Sequence, residues 1–503
     1  MKQVFKLTIV AAILTMTYSC SEDLLDNSGN ASTSQPTSSL TSAQAENAAL
    51  TNPAVTAAFV NGIYGQMVQF GSGGTSGHDD FGHKAYHVFS DFLSSDMALS
   101  VSTYGWYRAS ITEMQAMQDF TFGDNRQVWR YYYRIIRSTN NVIAALGGND
   151  AVPTTDVNKA ALAQAKTLRA HSYFYLAQFF QREWNPSEEI LPLYDVAGVE
   201  NVGKATAAEV YALMEKDLND AISLFAASTW TKSVANEVDT FVTHQVLAMI
   251  KAFKGEWAAA ASLTQTIINN SPYSILPAAD VTNGFNSVYN QNSWMWGIDL
   301  TENIGLGLVS WWGQVDSFSY SYAWAGDYKV IDADLFAAIP ANDARKAQFL
   351  NNPASSRHLQ PLFKFYASNR IGGTSRTVTA DYVYMRIEEA YLLNAEANAR
   401  VGNNVAARNS LKAVVSQRVP DASYIDGLSG QALADEAYLQ TRIELWGEGK
   451  SFFALKRNQA TIVRGANHLS FVGVPIPYND ERLQFEIPQD EIQNNPFVNS
   501  QNQ

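Results

Sequence analysis

The sequence predicts a mainly α-helical protein in which helical hairpins support an irregular, loop-rich half with a few short β-strands. Through most of the chain, apolar residues recur at helical spacing, with glycine or proline where the runs stop. Residues 277–377 differ, because they are rich in Gly, Asn, Ser, Trp and Tyr and contain only short alternating runs. Long irregular segments within a compact domain usually carry function. We therefore expect a helical scaffold at about 51–276 and 378–463, and ligand-binding loops at about 277–377.

The first residues have the pattern of a secretory signal. Two lysines precede a short apolar run, and small or polar residues follow it. Cys20, the only cysteine of the 503 residues, falls where such a signal is cleaved. It is similar to the acylated first residue of a bacterial lipoprotein, and an ordinary cleaved signal with a chance cysteine is the alternative. We expect residues 1–19 to be removed and Cys20 to anchor the chain through its acyl groups.

The composition of the next segment predicts a tether. Residues 20–50 carry the expected lipid at Cys20 and continue as a Ser/Thr/Asn/Ala-rich, almost uncharged stretch that cannot bury enough apolar surface to offset its ordering. The chain as a whole has 35 basic and 48 acidic residues. Such a negative field repels nucleic acid, so no nucleic-acid partner is expected. The folded domain is expected at 51–503.

Amphipathic spacing predicts individual helices and two helical hairpins. Thr206 and Glu209 have the spacing of a capping box at the start of one helix. Residues 242–276 contain two helical stripes separated by Gly255, and a similar unit turns at Gly402. These units resemble tetratricopeptide repeats. Because they are degenerate and unevenly spaced, we expect a globular domain that uses them as scaffold and not a bare repeat protein.

The stretch WGEGKS at 446–451 ends like a phosphate-binding loop. The first glycine of that loop would stand at position 444, where the chain has Glu444. The segment also follows a predicted helix, whereas a phosphate-binding loop follows a strand. A nucleotide site is therefore not expected here.

Several segments, in order, resemble the SusD/RagB-like family of outer-membrane nutrient-binding lipoproteins of Bacteroidetes. They are Cys20 with the acidic residues after it, WRYYYRIIRSTNNVI, KTLRAHSYFYLAQFF, YVYMRIEEAYLLNAEA and the ending FEIPQDEIQNNPFVNSQN. TRIELWGEGKSFFALKR resembles the family's signature through Glu444, Glu448, Gly449, Lys450, Leu455 and Arg457. The resemblance covers nearly the whole chain and assigns this motif to helix packing and ion pairing.

The resemblance implies a role at the cell surface. It implies a lipid-anchored, surface-exposed protein of the outer membrane that binds oligosaccharides and is not an enzyme, with no cofactor. It also implies a partner, a SusC-like TonB-dependent transporter, over which the lipoprotein sits as a lid. A peptide-binding uptake lipoprotein of the same family and a surface glycoside hydrolase are the alternatives. Carboxylates near the aromatic segment, such as Asp299 and Asp316, leave the hydrolase open, because a catalytic carboxylate pair has no sequence signature.

Aromatic residues are the candidate ligand contacts. Sugars lay their C–H faces on rigid Trp and Tyr rings, while polar groups fix the hydroxyls. Five of the eleven tryptophans lie between positions 289 and 328. The expected ligand-binding residues are Trp106, Trp311, Trp312, Tyr320, Tyr322 and Trp324. Of these, Trp106 is carried over from the family, which often places a binding aromatic after its first helix; Tyr104 is the alternative.

The aromatic residues of this segment are not expected to behave alike. Trp294 and Trp296 alternate in a predicted strand, which favours the core. The Trp311–Trp312 pair stands between glycines, which predicts an exposed loop in which at least one ring meets ligand. From position 318 to 324, aromatic and small residues alternate. This stripe indicates either a strand packed on the core or a ligand surface.

The charge of the segment favours a neutral glycan. No Lys or Arg occurs between Lys254 and Lys329, so a site built from this segment alone lacks the cations that sulfated or uronic-acid glycans prefer. Lys84, Arg108 or other loops would change this if they reached the site. His83 and His87 raise the question of a metal, but the preceding glycines predict a loop and no H-E-x-x-H motif occurs, so no metal site is expected.

Overall fold

The computed structural model describes residues 52–289, 292–367, 373 and 376–502. Cys20, the signal and the predicted tether lie outside these residues. The described part is mainly helical with short strands, which confirms the predicted fold class. Within it, no helix is long and apolar enough to cross a membrane.

Helices form the scaffold of the described chain. In the first part they are α1 Pro53–Gln66, α2 His83–Leu93, α3 Gly123–Ala145, α4 Asp156–Phe180, α5 Ala207–Ala226, α6 Thr240–Phe253 and α7 Trp257–Asn270. Later helices are α8 Trp311–Val315, α9 Tyr322–Ala325, α10 Ala333–Ala338, α11 Ile387–Arg400, α12 Asn404–Val415, α13 Gly430–Glu444, α14 Ser451–Asn458 and α15 Gln489–Asn494. Helix α4 packs between α3 and α5, and α11 packs against α7, α12 and α13.

Both predicted hairpins are present. Gly255 separates α6 from α7 and Gly402 separates α11 from α12, each with a positive φ that glycine adopts without strain. The two hairpins are tied together, because the Asn394 amide of α11 donates hydrogen bonds of 3.0 Å to the Ala261 carbonyl and the Thr264 hydroxyl of α7. The predicted capping box is also present at the start of α5. Small residues on these helices let their backbones approach closely.

Short antiparallel strand pairs connect the irregular half to this scaffold. The strands are β1 Met97–Val101, β2 Glu189–Pro192, β3 Lys204–Thr206, β4 Trp294–Ile298, β5 Tyr328–Ile331, β6 Tyr382–Arg386, β7 Thr461–Ile462 and β8 Ile476–Pro477. They pair as β1–β5, β2–β3, β4–β6 and β7–β8. Trp294 and Trp296 are buried in β4, as predicted. Because β6 runs directly into α11, the pair β4–β6 holds the irregular half against the second hairpin.

The WGEGKS stretch joins α13 to α14 and holds a buried group of charges that we call the charge cluster: Lys364, Arg386, Arg418, Glu444 and Glu448. Arg386 Nε lies 2.8 Å from Glu448 Oε2, and Arg418 Nε lies 2.8 Å from Glu444 Oε2. Lys364 Nζ lies 2.9 Å from Glu448 Oε1. Although burial alone would raise the pKa of Glu444, the arginines around it hold that pKa well below its usual value. The predicted role of the motif in ion pairing is therefore confirmed.

Candidate functional site

The β1–β5 pair brings together two loops that are far apart in sequence. Val101 at the end of β1 lies opposite Tyr328 at the start of β5. Just beyond this pairing, the carboxylate of Asp327 accepts hydrogen bonds from the backbone N–H groups of Thr103 and Tyr104, the latter at 2.9 Å. The loop after β1 is therefore fixed against the segment that precedes β5.

A third, glycine-rich loop closes onto these two. The carboxylate of Asp80 accepts hydrogen bonds from the backbone N–H groups of Gly73 and Thr75, at 2.8 Å and 3.0 Å, and so fixes the loop's course. The Gln314 amide donates a hydrogen bond of 2.8 Å to the His78 carbonyl. His78 Nδ1 is hydrogen-bonded to the Tyr322 hydroxyl at 2.6 Å. These contacts place the three loops side by side.

We call six aromatic side chains of these loops the aromatic patch: His78, Tyr104, Trp106 and Tyr322, whose rings contact one another, and Tyr320 and Trp324, which contact each other in the segment that also carries Tyr322. The imidazole of His78 stacks on Trp106 with 5.4 Å between ring centroids and 4° between planes. The Tyr322 ring meets Trp106 and Tyr104 edge to face, with centroid distances of 5.8 Å and 5.3 Å. Tyr104 is 58% exposed, so part of the patch offers an aromatic ring to solvent.

Trp324 forms the second exposed part of the patch. It is 41% exposed, and its ring centroid lies 6.4 Å from that of Tyr320. Gly373 approaches the Trp324 ring so closely that a Cβ at this position would stand 2.4 Å from a ring carbon. The Arg376 guanidinium lies 4.1 Å from the centroid of Tyr320 on the same patch. The patch therefore combines ring faces with an exposed cation.

The alternating stripe at 318–324 does not form a strand. Ser321 caps the short helix α9 by accepting a hydrogen bond from the Trp324 N–H at 2.9 Å. The Asp316 carboxylate accepts from the N–H groups of Phe318 and Ser319, at 3.0 Å and 3.1 Å. The small polar residues that suggested one face of a strand instead satisfy backbone groups in turns. The strand interpretation of this stripe was therefore wrong, although two of its aromatic residues, Tyr320 and Trp324, do contact each other.

The predicted exposure of Trp311 and Trp312 was wrong. Both rings are 1% exposed. They lie on α8, which Ser310 caps, and a Cβ at Gly313 would stand 1.9 Å from the Leu308 carbonyl oxygen. The two rings are perpendicular, with centroids 4.9 Å apart. In this arrangement both rings are buried, although the two residues are adjacent in sequence. The glycine here marks tight backbone packing, and neither tryptophan offers a face to ligand.

The cations near the site also differ from expectation. Lys84 is buried, with its ammonium 5.0 Å from the centroid of Trp311, and Arg108 is ion-paired with Glu113 at 3.0 Å. Arg376 is the residue that sequence reasoning missed. It lies outside the cation-free stretch but inside the predicted ligand-loop region 277–377, and its contact with Tyr320 depends on the fold. The stacking of His78 on Trp106 was likewise not foreseen.

Buried titratable groups lie next to the site. Burial, together with the neighbouring Asp124 carboxylate, raises the pKa of Asp79 to about 8. His83 and His87 lie on helix α2, so the loop expected for them was wrong; their Nε2 atoms are 3.1 Å apart. Burial lowers the pKa of both imidazoles well below the usual value, which keeps them neutral. Across the described part of the chain, no group of three or more His, Cys, Asp or Glu residues has the arrangement of a metal site.

Comparison with known proteins gives the family. Residues 78–239 match a family described as starch-binding and associating with the outer membrane, and residues 346–503 match the SusD family. A SusD-like protein of Formosa agariphila is 23% identical over 245 residues. That alignment covers 48% of this chain and 42% of the relative, so it spans less than half of the relative's length.

Solved structures share the fold. A SusD-like carbohydrate binding protein from Bacteroides vulgatus ATCC 8482 has a TM-score of 0.72 at 22% identity, covering 89% of this chain and 97% of that one. A SusD superfamily protein from Bacteroides thetaiotaomicron VPI-5482 has a TM-score of 0.73 at 20% identity, covering 90% and 99%. From the two matched segments, which together span more than half of its length, and from this shared fold, the chain belongs to the SusD/RagB-like family.

Proposed function

We propose that this protein is a cell-surface lipoprotein that binds an oligosaccharide at the aromatic patch and delivers it to a SusC-like TonB-dependent transporter in the outer membrane. One observation carries the proposal: three loops from distant parts of the chain converge so that Tyr104 is exposed against Tyr322, while Trp324, in the same segment as Tyr322, is exposed against Tyr320. The outer faces of these exposed rings meet water, and a bound sugar would replace this water with apolar contact.

The construction of the patch suits a sugar. Hydrogen bonds and stacking hold His78, Trp106 and Tyr322 in place before any ligand arrives, so little conformational freedom is lost on binding. The ring faces of Tyr104 and Trp324 supply apolar contact for C–H groups. Imidazole, phenol and guanidinium groups beside them supply hydrogen bonds for ligand oxygens.

The anchor and the transporter partner enter the proposal through the family. Cys20 has the position of an acylated residue, and the family is described as associating with the outer membrane. Replacing Cys20 with Ala should remove the acyl chains and release the protein from the outer-membrane fraction, as measured by labelling with radioactive palmitate and by fractionation. Unchanged membrane association and labelling of Cys20→Ala would contradict the lipid anchor.

The delivery step has a direct test. The purified protein and its transporter should form a complex that survives gel filtration in detergent, and oligosaccharide should be retained in that complex. If the protein binds oligosaccharide but forms no complex with a SusC-like transporter, the binding part of the proposal stands and the delivery part is contradicted.

Binding itself is tested by calorimetric titration of the purified protein with neutral oligosaccharides, acidic oligosaccharides and peptides. We expect oligosaccharide binding that weakens roughly tenfold or more in Trp324→Ala, as loss of an exposed stacking contact predicts. Phe497→Ala is the matched control, because this aromatic residue is also exposed but belongs to the C-terminal segment beside Gly203. Binding of peptides alone would favour a peptide-uptake function. Shortened sugar products after incubation would favour a hydrolase.

A further inference from the structure

Arg376 gives the aromatic patch a cation that the spacing of charges in the sequence did not predict. Its side chain is exposed, and its guanidinium lies 4.1 Å from the ring centroid of Tyr320. Among the residues that the structure describes, no carboxylate lies within ion-pair distance of it. The arginines of the charge cluster differ, since Arg386 and Arg418 are both buried against glutamates.

The stacking geometry leaves Arg376 able to bind an anion. A guanidinium that rests its face on an aromatic ring keeps the N–H groups at its edge free, and that edge matches a carboxylate or a sulfate in a bidentate manner. Tyr320 also reduces the freedom of the long arginine side chain, so less entropy is lost when an anion binds. Trp324 stands beside Tyr320, close enough for one sugar residue to reach both the ring and the cation.

The carboxylates nearest the patch do not neutralise this cation. Asp327 accepts hydrogen bonds from the backbone of Thr103 and Tyr104, and Asp316 accepts from the backbone of its own turn. Both side chains are fully buried, whereas Arg376 is exposed. The chain as a whole has a formal net charge of −13, which repels anions at a distance. An anionic ligand is therefore held only where a local cation faces it.

We propose that the oligosaccharide bound at the patch carries an acidic substituent, a uronic-acid carboxylate or a sulfate ester, and that Arg376 binds it while the sugar ring lies on Trp324. This inference rests on the proposed function. It replaces the expectation of a neutral glycan, which depended on the cation-free stretch between Lys254 and Lys329 forming the site alone.

Matched pairs of oligosaccharides test the inference. The carboxylate arm compares oligogalacturonate with its carboxyl-reduced form, and the sulfate arm compares a sulfated galactan oligosaccharide with its desulfated form. In at least one arm, the acidic member should bind about tenfold tighter than its neutral counterpart, because a charge-assisted bidentate contact is stronger than a neutral hydrogen bond. Its affinity should also fall on raising the salt concentration from about 0.05 M to about 0.5 M.

Variants of the cation assign the effect. Arg376→Gln should lose about tenfold in affinity for the acidic ligand and about twofold or less for the neutral one, and Arg376→Lys should recover part of the loss. Arg108→Gln is the control, because Arg108 is also an exposed arginine but is paired with Glu113. Equal affinities for the acidic and neutral members in both arms would overturn the inference and leave sugar binding standing. The same holds if Arg376→Gln binds the acidic ligand as tightly as the wild type does. Failure of every neutral and acidic oligosaccharide to bind overturns the proposed function as well.

Discussion

The charge cluster and the aromatic patch both involve arginine side chains, but these side chains have different surroundings in the two regions. In the charge cluster, Arg386 and Arg418 are buried and each is paired with a glutamate. In the patch, Arg376 stacks on Tyr320, and Trp324 keeps 41% of its surface exposed. Groups that satisfy one another hold the scaffold together, whereas groups left unsatisfied at the surface are available to a ligand. We therefore expect substitutions in the charge cluster to change mainly the free energy of unfolding, and substitutions in the patch to change mainly the affinity for ligand.

The largest expected effect is on stability, in the charge cluster. Glu444 pairs with Arg418 at 2.8 Å and with Arg345 and Arg386 at 3.2 Å. Glu444→Gln removes a carboxylate that three buried guanidinium groups share, so the free energy of unfolding should fall by about 3–5 kcal/mol. Urea denaturation measures this loss. The folded fraction should bind ligand as the wild type does. A stability loss below about 1 kcal/mol would show that the cluster contributes little.

A smaller effect on stability is expected at the buried tryptophan pair. Trp312→Phe shortens a ring that is 1% exposed, so it should cost about 1–3 kcal/mol through the space it leaves. Ligand affinity should stay within about twofold of wild type, because this ring offers no face to ligand. Trp324→Phe is the matched control and should show the reverse, with unchanged stability and weaker binding. A large loss of affinity in Trp312→Phe would show that Trp312 does contact the ligand.

These two tryptophan sites also show where sequence reasoning succeeded and where it failed. The helical hairpins at Gly255 and Gly402 were predictable, since local spacing fixes which face of a helix is apolar. The aromatic stripe that contains Trp324 was found from its composition, although its strand interpretation was wrong. Whether the glycine beside Trp312 marks an exposed loop or tight packing depends on how the chain folds back on the Leu308 carbonyl, which the spacing of residues does not reveal. The position of Arg376 depends likewise on which loops meet, and that is decided by pairing across hundreds of residues.

Asp79 should make stability depend on pH beside the patch. Burial and the Asp124 carboxylate raise its pKa to about 8. Between about pH 4 and about pH 8, Asp79 is therefore protonated in the folded protein and ionised in the unfolded chain. Stability contributed by this proton is therefore present at acidic pH and is lost as the pH rises toward 8. Asp79→Asn should reduce the loss between about pH 5 and about pH 6.5 by about 2 kcal/mol in thermal or urea unfolding.

The control for this change is Asp119→Asn. Asp119 is exposed and hydrogen-bonded to Thr121, which lowers its pKa. Its contribution therefore has the opposite sign and is lost only as the pH falls well below neutrality. An Asp79→Asn variant whose stability changes with pH as the wild type's does would show that the Asp79 carboxylate titrates normally in the folded protein.

The smallest expected effect concerns how the patch is held before ligand binds. The Tyr322 hydroxyl is hydrogen-bonded to His78 at 2.6 Å, and His78 stacks on Trp106. Tyr322→Phe keeps the ring but removes this hydroxyl, so stability should fall by about 0.5–1 kcal/mol. If the bond positions the patch, affinity should fall about threefold to fivefold through slower, less ordered docking of the sugar, while Glu444→Gln leaves affinity unchanged. Equal affinity in wild type and Tyr322→Phe would mean that stacking alone orders the rings, and that the patch, unlike the charge cluster, does not depend on internal polar contacts.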